Sequence, residues 1–203
     1  MRNVIIVDDH AMIREGLKAW LADNSDWLVS AQAESAADLF SILAVRHASF
    51  SAVSVDINVG KDNGFDIIRK IHELYPELPC IIYSMYDSAG YVINAFDVGA
   101  KGYVTKGADS SELLAALNAV ANGKTYVQQS LVPDIAVTAN LFSGMTKVEK
   151  QVLEQVRTGA DNKTIAHNLG LSQRTVENYL SRIYDKLGIA DRGQLLVKLG
   201  IVR

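Results

Sequence analysis

The sequence predicts an α/β protein: a doubly wound, five-stranded parallel sheet in residues 1–123, then a small all-α domain. Two observations carry this. Short runs rich in β-branched residues alternate with amphipathic helical stretches through residue 123, and such alternation builds parallel sheets with helices on both faces. From residue 145 the strand signals stop and only helical spacing remains. The net charge changes sign at about the same place. Residues 1–144 hold 10 Lys/Arg against 17 Asp/Glu, whereas residues 145–203 hold 10 against 6.

Taken in order, the elements are these. Asn3–Val7 reads as the first strand, ending in Asp8-Asp9. Ala11–Ala22 reads as a helix with Met12, Ile13, Leu17, Trp20 and Leu21 at helical spacing. Trp27–Ala33 is a strand, and Ser35 caps a helix to about Arg46 with Leu39, Ile42 and Leu43 inward. The strand Ala52–Val55 ends at Asp56, and a helix follows over Phe65–Leu74. Pro76 and Pro79 mark the next loop. Cys80–Ser84 is a strand, and a helix near Ser88–Val98 stops at Gly99. Gly102–Thr105 is the fifth strand, followed by a helix over Ser110–Ala121. Residues 124–144 lack periodicity and read as a linker with a short helix around Asp134–Leu141. Beyond it, Thr146 and Glu149 form a capping-box signal. A short helix Asn162–Asn168, the turn Leu169-Gly170-Leu171 and a longer helix from Ser172 to about Leu187 make a helix-turn-helix. Asp191–Leu199 reads as the last helix.

The strand ends hold the chemistry. In a parallel α/β sheet reactive groups collect at the carboxyl ends of strands. Here those ends carry Asp8-Asp9, Asp56, Ser84 and Lys106 in succession. Three crowded carboxylates raise one another's pKa or demand a cation, and an all-oxygen donor set suits Mg²⁺. The basic C-terminal region points to an anionic partner such as nucleic acid. No apolar run approaches the roughly 18 residues of a membrane span, and MRNVIIVDDH is too short in its apolar part for a signal peptide. A cytoplasmic protein with no membrane partner is expected. Cys80 has no partner for an internal disulfide and reads as a small buried residue.

These residues resemble the two-component response regulators of the NarL/FixJ (LuxR-type) family. The receiver pattern is VDDH, Asp56, Gly64, Ser84 and the GAKGYVTK stretch at Gly99–Lys106. The output pattern is Asn162-Lys163-Thr164-Ile165-Ala166, Leu169, Ser172, Thr175-Val176, Lys186-Leu187 and Arg192. The resemblance implies strand order 2-1-3-4-5 and domains at 1–123 (receiver), 124–144 (linker) and 145–203 (DNA-binding). It implies that Asp56 accepts a phosphoryl group from a histidine kinase. It further implies Mg²⁺ on Asp9 and Asp56, on Asp8 mostly through water, and on the main-chain carbonyl of Asn58. Lys106 and Ser84 would bind phosphoryl oxygens, and Tyr103 would be an aromatic switch. Phosphorylation would favour a homodimer on DNA.

Three positions depart from the family pattern. Gly60 stands where Pro is common and is expected to loosen the loop carrying Asn58. Gly107 stands where Pro follows the lysine, so Lys106 is expected to be held less rigidly. Met85 is bulkier than the usual small residue and is expected to slow phosphoryl arrival and loss.

On the Ser172–Leu187 helix, Val176, Leu180, Ile183 and Leu187 share one side and are expected inward. Arg174, Asn178, Ser181, Arg182 and Asp185 lie opposite. With Thr175, they offer the long polar side chains that a recognition helix presents to the major groove. Asn178 and Arg174 are expected at bases, and Arg182, Lys186 and Lys163 at phosphates. Glu177 stands where many relatives carry Lys, and Tyr179 where His is frequent. Glu177 is expected either to read a base or to lower non-specific affinity.

An enzyme reading competes: Asp56 with Mg²⁺ suggests a phosphohydrolase with an aspartyl-phosphate intermediate. Against it, Asn58 replaces the second acid of a DxD pair, and no GxxxxGK[ST] or GxGxxG loop is present. His10, His47, His72 and His167 are scattered and expected on surfaces. We therefore expect no turnover enzyme. A third reading is a degenerate receiver whose DNA binding ignores phosphorylation.

Overall fold

The computed structural model describes residues 1–201. The chain divides into two compact units. One comprises Met1–Asp87 with Asn94–Ser130, the other Ser88–Ile93 with the described residues from Leu131 onward.

The first unit is built on a parallel sheet of β1 (Arg2–Val7), β2 (Trp27–Ala33), β3 (Ala52–Val55), β6 (Cys80–Ser84), β7 (Gly102–Thr105) and β8 (Tyr126–Val127). Their order is β2-β1-β3-β6-β7-β8, so the five expected strands stand as 2-1-3-4-5 and a sixth is added at the edge. The extra strand falls in the stretch expected as linker. Two residues are too few to carry a periodic signal, and Tyr126 and Val127 join the ladder only because β7 lies beside them, at Gly102 and Tyr103. Between β3 and the next helix, β4 (Asn58–Val59) and β5 (Asp62–Asn63) form a small antiparallel hairpin.

The strands read as unbroken apolar runs because both faces are covered. Val4, Ile6, Ala52, Ile81 and Val104 pack with Leu17 and Leu21 of α1 (Ala11–Asn24) and with Leu113, Ala116 and Leu117 of α5 (Ser110–Val120). The helices α2 (Ala36–Arg46) and α3 (Gly64–Leu74), and α4 (Ala89–Asp97) from Asn94 onward, complete the alternation within this unit. Ser35 caps α2 by accepting from the Asp38 amide. Met12 does not join the core: it is 88 % exposed, whereas Leu17 and Leu21 are buried. It lies about 100° around the helix from Ile13, off the apolar stripe.

In the second unit α6 (Val132–Ser143), longer than expected, precedes α7 (Lys147–Arg157), α8 (Asn162–Leu169), α9 (Gln173–Leu187) and α10 (Arg192–Lys198). Thr146 and Glu149 make the expected capping box at α7. Gly170 and Gly188 close α8 and α9 at φ +66° and +64°, a conformation other residues adopt at a cost. Val152, Val156, Ile165, Val176, Leu180, Ile183 and Leu195 form the core.

Candidate functional site

Four strand ends converge. β1 delivers Asp8, β3 delivers Asp56, β6 delivers Ser84 and β7 delivers Lys106. The Lys106 ammonium lies 2.6 Å from Asp8 Oδ2 and 2.7 Å from Asp56 Oδ2. All three side chains are buried. Burial disfavours the ammonium, but its hydrogen bonds to Asp56 and Asp8 outweigh this, and the Lys106 pKa is raised. Burial likewise pushes up the neighbouring Tyr83 phenol, with Lys106 pulling the other way.

Asp9 is exposed at the rim, where its Oδ1 lies 2.8 Å from His10 Nδ1. Oxygen or nitrogen atoms of Asp8, Asp9, His10 and Asp56 come within 4.8 Å of one another. A cation suits this donor set: three carboxylates converge, and a buried ammonium already sits between two of them. His10 was read as a surface residue, and its ring is indeed exposed. Its place beside Asp8 and Asp9 is local: the chain turns at His10, whose amide donates to Asp8 Oδ1 at 2.9 Å. His47, His72 and His167 are exposed.

Local structure holds this pocket in shape. The Asp56 amide donates to the Val7 carbonyl at 2.9 Å, locking β3 to β1. A Cβ on Gly64 would lie 2.1 Å from the Asp56 carbonyl oxygen, so only glycine lets α3 start this close to Asp56. The loop after Asp56 folds into the β4–β5 hairpin. Gly60, at φ +62°, is the first central residue of the turn that joins Val59 to Asp62. Two-residue hairpins demand positive φ there. The Asp62 carboxylate then accepts from the Ala36 amide at 2.8 Å, and Asn58 Nδ2 donates to the Tyr86 hydroxyl at 2.9 Å. Tyr86 thereby joins the site, a residue sequence reasoning missed because only the folded loops bring it to Asn58.

Lys106 is also well anchored despite Gly107. Its amide donates to the Ser84 carbonyl at 2.7 Å, and its ammonium is doubly bound. Ser84 is buried, and Met85 beside it is 72 % exposed, so its bulk points mainly to solvent. Tyr103 is wholly buried, and its hydroxyl donates to the Tyr86 carbonyl at 2.7 Å.

In the second unit Ser172 caps α9 by accepting from the Thr175 amide at 3.0 Å, and the two hydroxyls are 2.8 Å apart. Val176, Leu180, Ile183 and Leu187 are buried, while Arg174, Asn178, Ser181 and Arg182 are exposed on the opposite face and Glu177 is exposed on its flank. Lys163, on α8, is exposed, and Arg182 lies over the Tyr179 ring. Lys186 is placed differently. Its ammonium is held by both carboxylate oxygens of Glu149, at 2.8 and 2.7 Å. That pairing ties α9 to the cap of α7.

With this geometry in view, the comparisons decide the family. The model of the response regulator receiver domain matches residues 4–118, and that of the bacterial regulatory proteins of the luxR family matches residues 143–199. The chain belongs to the LuxR-type response regulators. It is 27% identical over 217 residues to the transcriptional regulatory protein DegU of Brevibacillus brevis, covering 96% of this chain and 91% of that one. It is 29% identical over 205 residues to the oxygen regulatory protein NreC of Staphylococcus aureus, covering 95% and 94%. A LuxR-family response regulator from Aurantimonas sp. matches at 26% identity and TM-score 0.62, over 66% of this chain and 94% of that one. The fold also matches RcsB in a structure of two dimers on two parallel DNAs, at TM-score 0.76 and 24% identity over 100% and 99% of the chains. This response regulator therefore pairs a receiver with a LuxR-type DNA-binding domain. Among its described residues no helix is long and apolar enough to cross a membrane.

Proposed function

We propose that Asp56 of this regulator accepts a phosphoryl group from a histidine kinase and that the modification controls DNA binding by the helix-turn-helix. The observation that carries this reading is the buried Lys106 ammonium between Asp8 and Asp56. That arrangement leaves a carboxylate nucleophile beside a fixed cation that can receive a phosphoryl oxygen. In the transfer, an Asp56 carboxylate oxygen bonds to phosphorus while the phosphorus–nitrogen bond of the kinase phosphohistidine breaks, its electron pair remaining on the imidazole. Asp8, Asp9, Asp56 and the main-chain carbonyl of Asn58 would hold Mg²⁺, which supplies charge neutralisation at the phosphoryl oxygens when bound. Lys106 and Ser84 orient the group. The Tyr103 hydrogen bond to Tyr86 is the contact that the switch exchanges.

Arg174, Thr175, Glu177, Asn178 and Ser181 form the base-reading face in this proposal, with Arg182 and Lys163 on phosphates. Lys186 is left out because Glu149 holds it. Phosphorylation promotes a homodimer on two half-sites. The functional division follows 1–123, 124–144 and 145–203, with Tyr126–Val127 attached to the receiver sheet. DNA as partner implies a cytoplasmic protein, and one phosphoryl group per chain implies a switch without turnover.

The test is intact mass after incubation with a small acyl-phosphate donor and Mg²⁺. A phosphoryl-sized gain is expected in the wild type and absent in Asp56→Asn. Equal gains in both, or none in the wild type beside a competent control receiver, would overturn the assignment.

A further inference from the structure

Just after β8, within the first unit, Gln128 makes a set of contacts that neither the phosphoacceptor pocket nor the DNA-facing helix accounts for. The edge strand β8 is held by the Tyr126 hydroxyl, which donates to Glu112 Oε2 of α5 at 2.6 Å, and by main-chain bonds. The Tyr126 amide donates to the Lys101 carbonyl at 2.9 Å and the Gln128 amide to the Tyr103 carbonyl at 3.1 Å. Beyond that point β8 ends, while β7 runs on to Thr105. There the Gln128 side chain takes the place of a main-chain carbonyl. Its Oε1 accepts from both the Thr105 amide and the Thr105 hydroxyl, each at 2.9 Å. Its Nε2 donates to the Ser130 hydroxyl at 2.9 Å. Thr105 is buried and directly precedes Lys106, the residue that bridges Asp8 and Asp56. One glutamine thus ties the segment leading out of the sheet to the strand end that carries the pocket's cation.

We propose that Gln128 couples the phosphoacceptor pocket to the outgoing segment, and that phosphorylation of Asp56 loosens β8 at its Gln128 end. This rests on the phosphoacceptor reading above. Lys106 now divides its bonds between Asp8 and Asp56. A divalent ion on those carboxylates repels the ammonium, and a phosphoryl group offers it oxygens farther out. Either change draws the Thr105–Lys106 backbone away from Gln128. With the two Thr105 bonds lost, the two-residue β8 keeps the Tyr126–Glu112 bond and its main-chain bonds and opens more often at its Gln128 end. Gln128 itself touches neither the metal ligands nor the phosphoacceptor.

Hydrogen exchange of the full chain, read on the peptide 124–131 with and without Mg²⁺ and a small acyl-phosphate donor, tests this. Intact mass is recorded on the same samples. In the wild type, exchange of this peptide is expected to rise at least tenfold on phosphorylation. In Gln128→Leu it is expected to be fast from the start and unresponsive, while the phosphoryl mass gain persists. Unchanged exchange in fully phosphorylated wild type would overturn the proposal, as would a Gln128→Leu protein that keeps the full response. A wild type that gains no mass defeats the phosphoacceptor reading instead. The coupling is then decided by Lys106→Met, which removes the ammonium without any phosphoryl group. It is expected to speed exchange at 124–131 in the wild-type background and to add nothing to Gln128→Leu, and equal increments in both backgrounds would refute the coupling.

Discussion

At Lys106 two effects oppose each other. Burial works against the ammonium, and the two carboxylates in contact with it work for the charge and prevail. Lys106→Met therefore leaves Asp8 and Asp56 facing each other in a dry pocket. Breaking a buried charge arrangement from one side costs about 3–5 kcal/mol. We expect metal-free Lys106→Met to melt well below the wild type, and Mg²⁺ to raise its Tm more than that of the wild type, since the ion replaces the missing positive charge. A Mg²⁺ shift no larger than the wild type's would count against Lys106 as the pocket's counter-charge. Glu149 is the corresponding residue in the second unit. Its hydrogen bond to Lys186, then that to the Thr146 amide, lowers its pKa from the ordinary 4.5. A lowered folded-state pKa contributes stability above pH 4.5, and that stability is lost as pH falls through the folded value. Glu149→Gln is expected to cost about 1–3 kcal/mol at neutral pH and to flatten the acid limb of the unfolding curve. Chemical denaturation between pH 3 and 7 would check it, and parallel acid limbs in the two proteins would contradict it.

Among the elements, the hairpin after Asp56 shows what a motif comparison misses. Gly60 occupies a position where relatives commonly carry Pro, and the expectation was a looser loop. Instead, Gly60 supplies the positive φ that closes the turn, and Asp62 and Asn58 fasten it to Ala36 and Tyr86. Proline requires φ near −65°, so Gly60→Pro would not restore rigidity here. It is expected to destabilise the first unit by about 1–3 kcal/mol and to weaken Mg²⁺ binding, read by thermal melting across a Mg²⁺ series. A variant at least as stable as the wild type would show that the loop has another low-energy form. The other elements were largely legible. Caps at Ser35 and Thr146 and the apolar stripe of α9 are local signals, written within a few helical turns. Neither β8 nor the full length of α6 was legible. A two-residue strand exists only through its neighbour, and the apolar positions of α6 do not recur at a clean helical spacing.

For the molecule as a whole, the acidic first 144 residues and the basic remainder divide the work electrostatically. The exposed residues of α9 include Arg174 and Arg182 and the acidic Glu177. Glu177→Lys is expected to raise affinity for non-specific duplex DNA and to steepen its dependence on salt by roughly one counterion, since each new phosphate contact adds about 0.9 to the slope. The measurement is a binding titration at several salt concentrations. An unchanged slope would remove Glu177 from the DNA face.

The pattern of amino acids alone set the class of the sheet, the order of its elements and the residues at its strand ends. These follow from hydrophobic periodicity, turn residues and the rule that parallel strands deliver polar groups at their carboxyl ends. It also identified the outward face of α9, because 100° steps along a helix need no tertiary information. Only the tertiary structure decided which groups hold one another. Lys106 reaches Asp8 and Asp56 across 98 and 50 positions of chain respectively, Glu149 claims Lys186 from α9, Tyr86 meets Asn58, and Gln128 caps Thr105. Such pairings depend on how separate loops and strand ends are brought together, and no spacing within one element encodes that distance.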